Sequence, residues 1–268
     1  MADWIELAEG LFFKHYESLS LNIGALQCGD GVLLIDTRAH HGQARELASD
    51  LHRITRSPVR WVVNTHHHWD HTFGNSVFLP AAIWGHVRCA EVLRDRGEAM
   101  RRRLMEWSPD HAAAFQEVEI VPPDHTFATE ATVTFEGREV RLRHLGRGHT
   151  DNDIVVAVPD AGVVFAGDLI EQGAPPAFQD SFPLEWPDAV ERLSGEVAGP
   201  VVPGHGWVVD RAFVAAQQAD LAEVARLAAE RHAEGMPIAD AAAAGGPFPE
   251  EALRDAFTRA WPSLEVGG

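Results

Sequence analysis

The stretch Val59 to His71 constrains this chain more than any other. Val59-Arg60-Trp61-Val62-Val63 reads as a buried β-strand and runs through Asn64-Thr65 into His66-His67-His68-Trp69-Asp70-His71. Four histidines and an aspartate thus crowd the end of one strand. In extended backbone the side chains alternate, so His66, His68 and Asp70 can project to one side, and a turn lets His71 join Asp70. Imidazole and carboxylate are the donors that zinc and iron take in hydrolytic and redox sites. An expression tag would sit at a terminus, whereas this cluster lies inside the chain and carries an aspartate.

The elements around it alternate irregularly. Leu11 to Lys14, Leu21 to Gln27 and Val32 to Ile35 read as short strands, the last two joined by the turn Gly29-Asp30-Gly31. Leu47, Leu51 and Ile54 fall at helical spacing within a helix over about Gly42 to Ile54. A longer helix runs from Val87 to about Trp107 and stops at Ser108-Pro109. Strands return at Ala131 to Phe135, Val140 to Leu145, Ile154 to Val158 and Val163 to Phe165. A short helix starts at Pro187, Val201-Val202 is a last buried strand, and Arg211 to His232 is helical. The tail beyond it is also helical, broken at Gly245-Gly246-Pro247. This order is neither βαβ alternation nor an all-β pattern, so we expect an α+β protein of two mixed halves with outer helices.

Composition narrows the partners. The chain has 268 residues, 22 basic against 40 acidic, and a formal charge of −18. That balance argues against nucleic acid and anionic membrane, whose affinity comes from cationic side chains. Arg101-Arg102-Arg103 lies in a helix between Glu98 and Glu106 and reads as a solvated face. No window approaches the ~20 apolar residues that span a bilayer. The N-terminus has acidic residues where a signal peptide is basic, so the expected location is cytoplasmic. Cys28 and Cys89 make no metal-like spacing and suit a reducing compartment.

His66-x-His68-x-Asp70-His71 resembles the HxHxDH signature of the metallo-β-lactamase superfamily of metal-dependent hydrolases, and four further motifs stand along the chain in that family's order. They are Leu34-Ile35-Asp36-Thr37, Gly146-Arg147-Gly148-His149-Thr150, Val163 to Asp168, and Pro203-Gly204-His205-Gly206. The resemblance implies a four-layer αββα sandwich with extra C-terminal helices. Residues 1–210 would form the catalytic part, and 211–268 a helical extension packed on the same domain. It implies His66, His68 and His149 on one metal, Asp70, His71 and His205 on a second, and Asp168 bridging them. Asp36 would accept an N–H from a ligand imidazole and fix its tautomer. His67 and Trp69 occupy variable positions and are not counted as ligands.

The chemistry that follows from the resemblance is carbonyl hydrolysis. Two Zn²⁺ ions would share a water and bring it toward ionisation near neutral pH, and Asp70 would also handle its proton. The alternatives are a mononuclear iron enzyme like the persulfide dioxygenases of the same fold, and a metal-binding protein without turnover. True β-lactamases of the family carry Cys or Ser where this chain has Asp168. Glyoxalase II type thioesterases grip glutathione with basic and tyrosyl side chains, yet Tyr16 is the sole tyrosine here and residues 211–268 contain no lysine. No named subfamily fits. The expected substrate is a small molecule containing an ester, thioester, lactone or lactam.

Candidate substrate contacts are Arg147, for a carboxylate, and the proline-rich loop Gly173 to Pro187, whose Phe178, Phe182 and Trp186 would wall an apolar pocket. The Lys14 to Ser20 turn, with His15 and Tyr16, is a candidate flap. The C-terminal helix face is read as structural, with a homodimer as its other use.

Overall fold

A computed structural model describes residues 3–266. Its first half contains β1 (Ile5–Ala8), β2 (Leu11–Tyr16), β3 (Leu21–Cys28), β4 (Gly31–Ile35), α1 (His41–Leu51), β5 (Val59–Val63), α2 (Trp69–Thr72), β6 (Ala82–His86), α3 (Val87–Trp107), α4 (Ala112–Gln116) and β7 (His125–Phe127). The second half contains β8 (Glu130–Phe135), β9 (Arg138–Arg143), β10 (Val155–Val158), β11 (Val163–Glu171), α5 (Trp186–Ser194), β12 (Val201–His205), α6 (Arg211–Ala233), α7 (Ile238–Ala243) and α8 (Glu250–Val266).

Two mixed sheets result. One runs β1-β2-β3-β4-β5-β6-β7, antiparallel as far as β4 and parallel beyond it. The other runs β12-β11-β10-β9-β8, with only β12 and β11 parallel. A single residue pair, His205 with Leu21, joins them.

Apolar burial drives the layering. Phe13, Leu26, Leu33, Ile35 and Val63 of the first sheet meet Leu142, Val156, Val158, Phe165 and Val202 of the second in the central core. The alternate residues of β3 and β4, Ile23, Ala25, Val32 and Leu34, face outward, where Ala44, Leu47 and Leu51 of α1 cover them. On the other outer face Val155, Val164 and Ala166 pack beneath α5, α6 and α8 through Val190, Leu221, Val224 and Phe257. The fold is the expected four-layer αββα sandwich, and the C-terminal helices share a core with the second sheet. No described helix is long and apolar enough to cross a membrane.

Several sequence boundaries move. Helix α1 ends at Leu51, so Ile54 lies in the turn beyond it. Strand β12 extends through His205. Strand β11 continues past Phe165 to Glu171, which places Asp168 inside the strand rather than after it. Gly167, at φ +52, breaks the β11 register there, and a Cβ on it would lie 2.8 Å from the Thr65 Cβ. The supposed flap is not one: Lys14 to Tyr16 are buried in β2, with Lys14 Nζ 2.7 Å from Asp50 and the Tyr16 hydroxyl donating to the same carboxylate at 2.9 Å.

Candidate metal centre

The loop after β5 is held rigidly before any ligand chemistry begins. Asn64 and Asn75 exchange side-chain amide hydrogen bonds at 2.8 and 3.0 Å, and Thr37 donates to the Asn75 carbonyl oxygen at 2.8 Å. Asp36 sits at the end of β4 with φ +64, a left-handed conformation that aspartate tolerates better than most residues. Its carboxylate accepts from the Thr65 backbone N–H, the Thr65 hydroxyl and His71 Nδ1, each at 2.8 Å. The unusual backbone is therefore held by three buried hydrogen bonds.

Five imidazoles share one arrangement. His71 Nδ1 donates to Asp36; His205 Nδ1 donates to the Leu19 carbonyl at 2.7 Å; His149 Nδ1 donates to the Ala177 carbonyl at 3.2 Å. His68 uses the other nitrogen, Nε2, to donate to Asp180 at 3.0 Å. His66 Nδ1 lies 3.1 Å from the Thr65 hydroxyl, whose own proton goes to Asp36, so His66 is the donor. Each ring thus spends its N–H on an outward oxygen and turns its remaining nitrogen inward.

The inward atoms form two groups. His66, His68, His149 and Asp168 bring donor atoms within 4.8 Å of one another, and so do Asp70, His71 and His205. Asp168 touches both. Its Oδ2 lies 3.6 Å from His66 Nε2, 3.4 Å from His149 Nε2 and 3.3 Å from His205 Nε2, while Oδ1 lies 3.3 Å from His71 Nε2. Asp70 Oδ2 is 3.3 Å from His205 Nε2 and 3.6 Å from His71 Nε2. All seven side chains expected as ligands, brought from four separate segments, meet in one place.

This donor set fits divalent metal. Five nitrogens and two carboxylates are what zinc or iron accepts. His66 Nε2 and Asp168 Oδ1 are buried without a hydrogen-bond partner, a costly arrangement for atoms that face only each other's neighbours. The geometry also explains the glycine in Pro203-Gly204-His205: a Cβ on Gly204 would fall 1.8 Å from Asp168 Oδ1. The electrostatics are those of a compact charged cluster. Burial opposes the charge on His205, but Asp168 and Asp70 push its pKa up to about 12. Burial likewise opposes ionised Asp70, yet His71 and His205 hold it down to about 2. Burial itself lowers His149 to about 4.

Three polar side chains around the cluster were not apparent from sequence. Asp180 binds His68 and lies 3.7 Å from His67 Nε2, which draws His67 into the surrounding network although it points away from the two main groups. Asn152 Nδ2 donates to His67 Nδ1 at 2.9 Å. Glu171 Oε1 lies 3.6 Å from His149 Nδ1, and burial together with Asp168 pushes its carboxyl up to about 8. Asp180 and Glu171 sit at ordinary strand-end and loop positions, so no sequence signal marks them.

The cluster floors a cleft of about 1000 Å³. Its walls differ from those expected. Phe178 and Trp186 are fully buried in the second sheet's outer core, where Trp186 donates to the Leu169 carbonyl and touches His149 edge-on. Phe182 lies under Arg147, at 4.5 Å from guanidinium to ring centroid, and Arg147 is paired with Glu185. None of the four lines the cleft: the aromatic loop was needed for the core, and the arginine is already neutralised. Trp69, Met100, Leu104, Trp107, Ala174, Ala177 and Trp207 line it instead, with Leu19 and Ser20 as the only part of the expected flap that reaches it.

A family model for the metallo-beta-lactamase superfamily matches residues 20–230. The alpha subunit of a 2,4-dinitroanisole O-demethylase from Nocardioides sp. (strain JS1661) is 26% identical over 194 residues, covering 70% of this chain and 53% of that protein. The chain therefore spans about half the length of that relative. A type 2 metallo-beta-lactamase of Bacillus cereus is 23% identical over 218 residues, 79% of this chain and 76% of that enzyme. Among solved structures, the inverting sec-alkylsulfatase Pisa1 from Pseudomonas sp. superposes with a TM-score of 0.79 at 17% identity, covering 97% of this chain and 50% of that one. A metallo-beta-lactamase from Pontibacter korlensis gives 0.66 at 21% identity, covering 82% and 99%. At these identities the two structures speak for the fold alone.

Proposed function

The chain belongs to the metallo-beta-lactamase superfamily, and on that footing we propose that it is a two-zinc hydrolase acting on the carbonyl of an ester, thioester, lactone or lactam. One observation supports this most: five imidazoles and two carboxylates bring their inward ligand atoms together in two groups that share Asp168. Divalent ions bound there would supply Lewis acidity and an activated water.

The chain's own residues do the rest. His66, His68 and His149 would hold one ion, Asp70, His71 and His205 the other, and Asp168 would span both. The outward hydrogen bonds fix each ring's tautomer, so little reorganisation is needed when a ligand atom is engaged. Asp70 lines the cleft, its Oδ2 3.3 Å from His205 Nε2, and would take the proton of the attacking water and pass it to the leaving group. No cysteine or lysine nucleophile is required: both cysteines and the one lysine are buried away from the cleft.

Elemental mass spectrometry of protein purified without a His tag or added metal is the first test, and close to two zinc per chain is expected. On an ester substrate, Asp70→Ala and His205→Ala should each lose about 10³-fold or more in kcat with the circular dichroism retained. Unchanged turnover in either refutes the two-metal reading. About one iron per chain, with oxygen uptake on a persulfide, replaces hydrolysis by dioxygenation. Because relatives are named for O-demethylation and alkyl sulfate cleavage, the panel should include an aryl methyl ether and a secondary alkyl sulfate beside esters, lactones and a β-lactam.

A further inference from the structure

The part of the substrate that does not react must rest on the walls of the cleft, and those walls are unusual. Few large apolar side chains stand exposed among the described residues, and three of them, Leu19, Trp107 and Trp207, line this one cavity. Trp107 is 77% exposed and Trp207 53% exposed. Exposed apolar surface gathered at a cavity mouth marks a binding site rather than a packing remnant. The two indoles come from opposite halves of the chain, one from the last residue of α3 and the other from just beyond β12. Trp207 is also held in place. Its ring stacks on His15 with centroids 4.4 Å apart, and its backbone N–H donates to Gln172 Oε1 at 2.8 Å. Such a surface meets a ligand with little ordering cost.

Charge selects further. Apart from the metal-binding cluster, the cleft carries, among the described residues, the carboxyl groups of Glu171 and Asp180 and a single cation, the exposed Arg103. The only lysine, Lys14, is buried against Asp50 and unavailable. A remote carboxylate or sulfate on a substrate finds no buried cation to replace its water, and a solvent-exposed arginine compensates little.

Building on the hydrolase reading, we infer that the substrate carries a neutral, apolar acyl or alkyl chain, and that Trp107 and Trp207 determine this specificity. Substrates with an anionic group remote from the reacting bond, including β-lactam carboxylates and glutathione thioesters, are then disfavoured.

The test compares three p-nitrophenyl esters on the zinc-loaded protein: the acetate, the octanoate, and the suberate monoester, which matches the octanoate in length but ends in a carboxylate. Each methylene removed from water is worth about fourfold, so burial of half of the six added methylenes favours octanoate over acetate by about 50-fold in kcat/KM. The suberate monoester should fall at least about tenfold below octanoate. Trp107→Ala and Trp207→Ala should each reduce the octanoate-to-acetate ratio by about fivefold or more. Both sites are open enough for the fold to survive, which circular dichroism and metal content verify. An octanoate preference below about threefold, or a preference for the suberate monoester that Arg103→Ala abolishes, overturns the inference. If no ester is hydrolysed at all, the carbonyl chemistry fails separately, and calorimetric titration with N-octylacetamide decides the cleft. Binding weakened about tenfold by Trp207→Ala upholds the apolar subsite, and absence of binding overturns it.

Discussion

Replacing Asp36 with asparagine changes one heavy atom and should weaken the candidate metal centre. The carboxylate accepts three hydrogen bonds at 2.8 Å: Oδ1 takes the Thr65 backbone N–H, and Oδ2 takes the Thr65 hydroxyl and His71 Nδ1. Asparagine keeps the shape and tolerates the φ of +64, so the backbone gives no reason for a loss. The amide must choose an orientation. With its NH₂ toward the Thr65 N–H, two donors face each other in a buried site, at about 1–3 kcal/mol. With its NH₂ toward His71, that ring must move its proton to Nε2, the atom facing Asp70 and Asp168. Thr65 must then donate to His66 Nδ1, which drives the His66 proton to Nε2 as well. A ring protonated there cannot ligate. The cheaper orientation sets the cost, so we expect zinc affinity to fall about 10–100-fold and unfolding free energy by about 2 kcal/mol. Competition against a chromophoric chelator measures the first quantity, and urea unfolding with chelator present the second. Wild-type zinc affinity at both sites in Asp36→Asn would refute the tautomer argument.

Two further outcomes follow from the same geometry. Gly204→Ala, whose Cβ would stand 1.8 Å from Asp168 Oδ1, should displace the shared carboxylate; we expect loss of at least one bound zinc by elemental analysis, and full retention would show that Asp168 does not span the groups. Glu171, its carboxyl raised to about 8, stays protonated in the folded state while the unfolded chain ionises near 4.3, so its contribution to stability falls as pH rises between those values and is lost above about 8. Glu171→Gln should therefore match wild type near pH 4 and exceed it increasingly toward pH 8, read from urea midpoints in the presence of chelator. Parallel pH profiles would contradict the burial argument.

Local chemistry made much of this protein legible in advance. The strand Val59–Val63 leading into the histidine run, the hairpin at Glu136-Gly137 with both residues at positive φ, and the long helix ended by Ser108-Pro109 all rest on neighbours in sequence. Motif order also picked out the seven residues that the structure brings together. Strand β6 escaped notice because Ala82-Ile83-Trp84-Gly85-His86 has no clear alternation; pairing with β5 and β7 makes it a strand.

Long-range contact decided the remainder. Phe178, Trp186 and Phe182 look in sequence like any aromatic wall, and whether such residues line a cleft or fill a core depends on which layer covers them. Here Phe178 and Trp186, the first residue of α5, share a core with α6 and α8. Arg147 lost its expected partner to Glu185, 38 residues away. Asp180, Glu171 and Trp207 acquire meaning only from the rings beside them, His68, His149 and His15. Residue type and spacing determined which atoms were chemically able to bind metal, because donor chemistry is intrinsic to a side chain. Tertiary packing alone decided what surrounds those atoms, because burial, hydrogen-bond partners and cavity walls are properties of distant segments brought together.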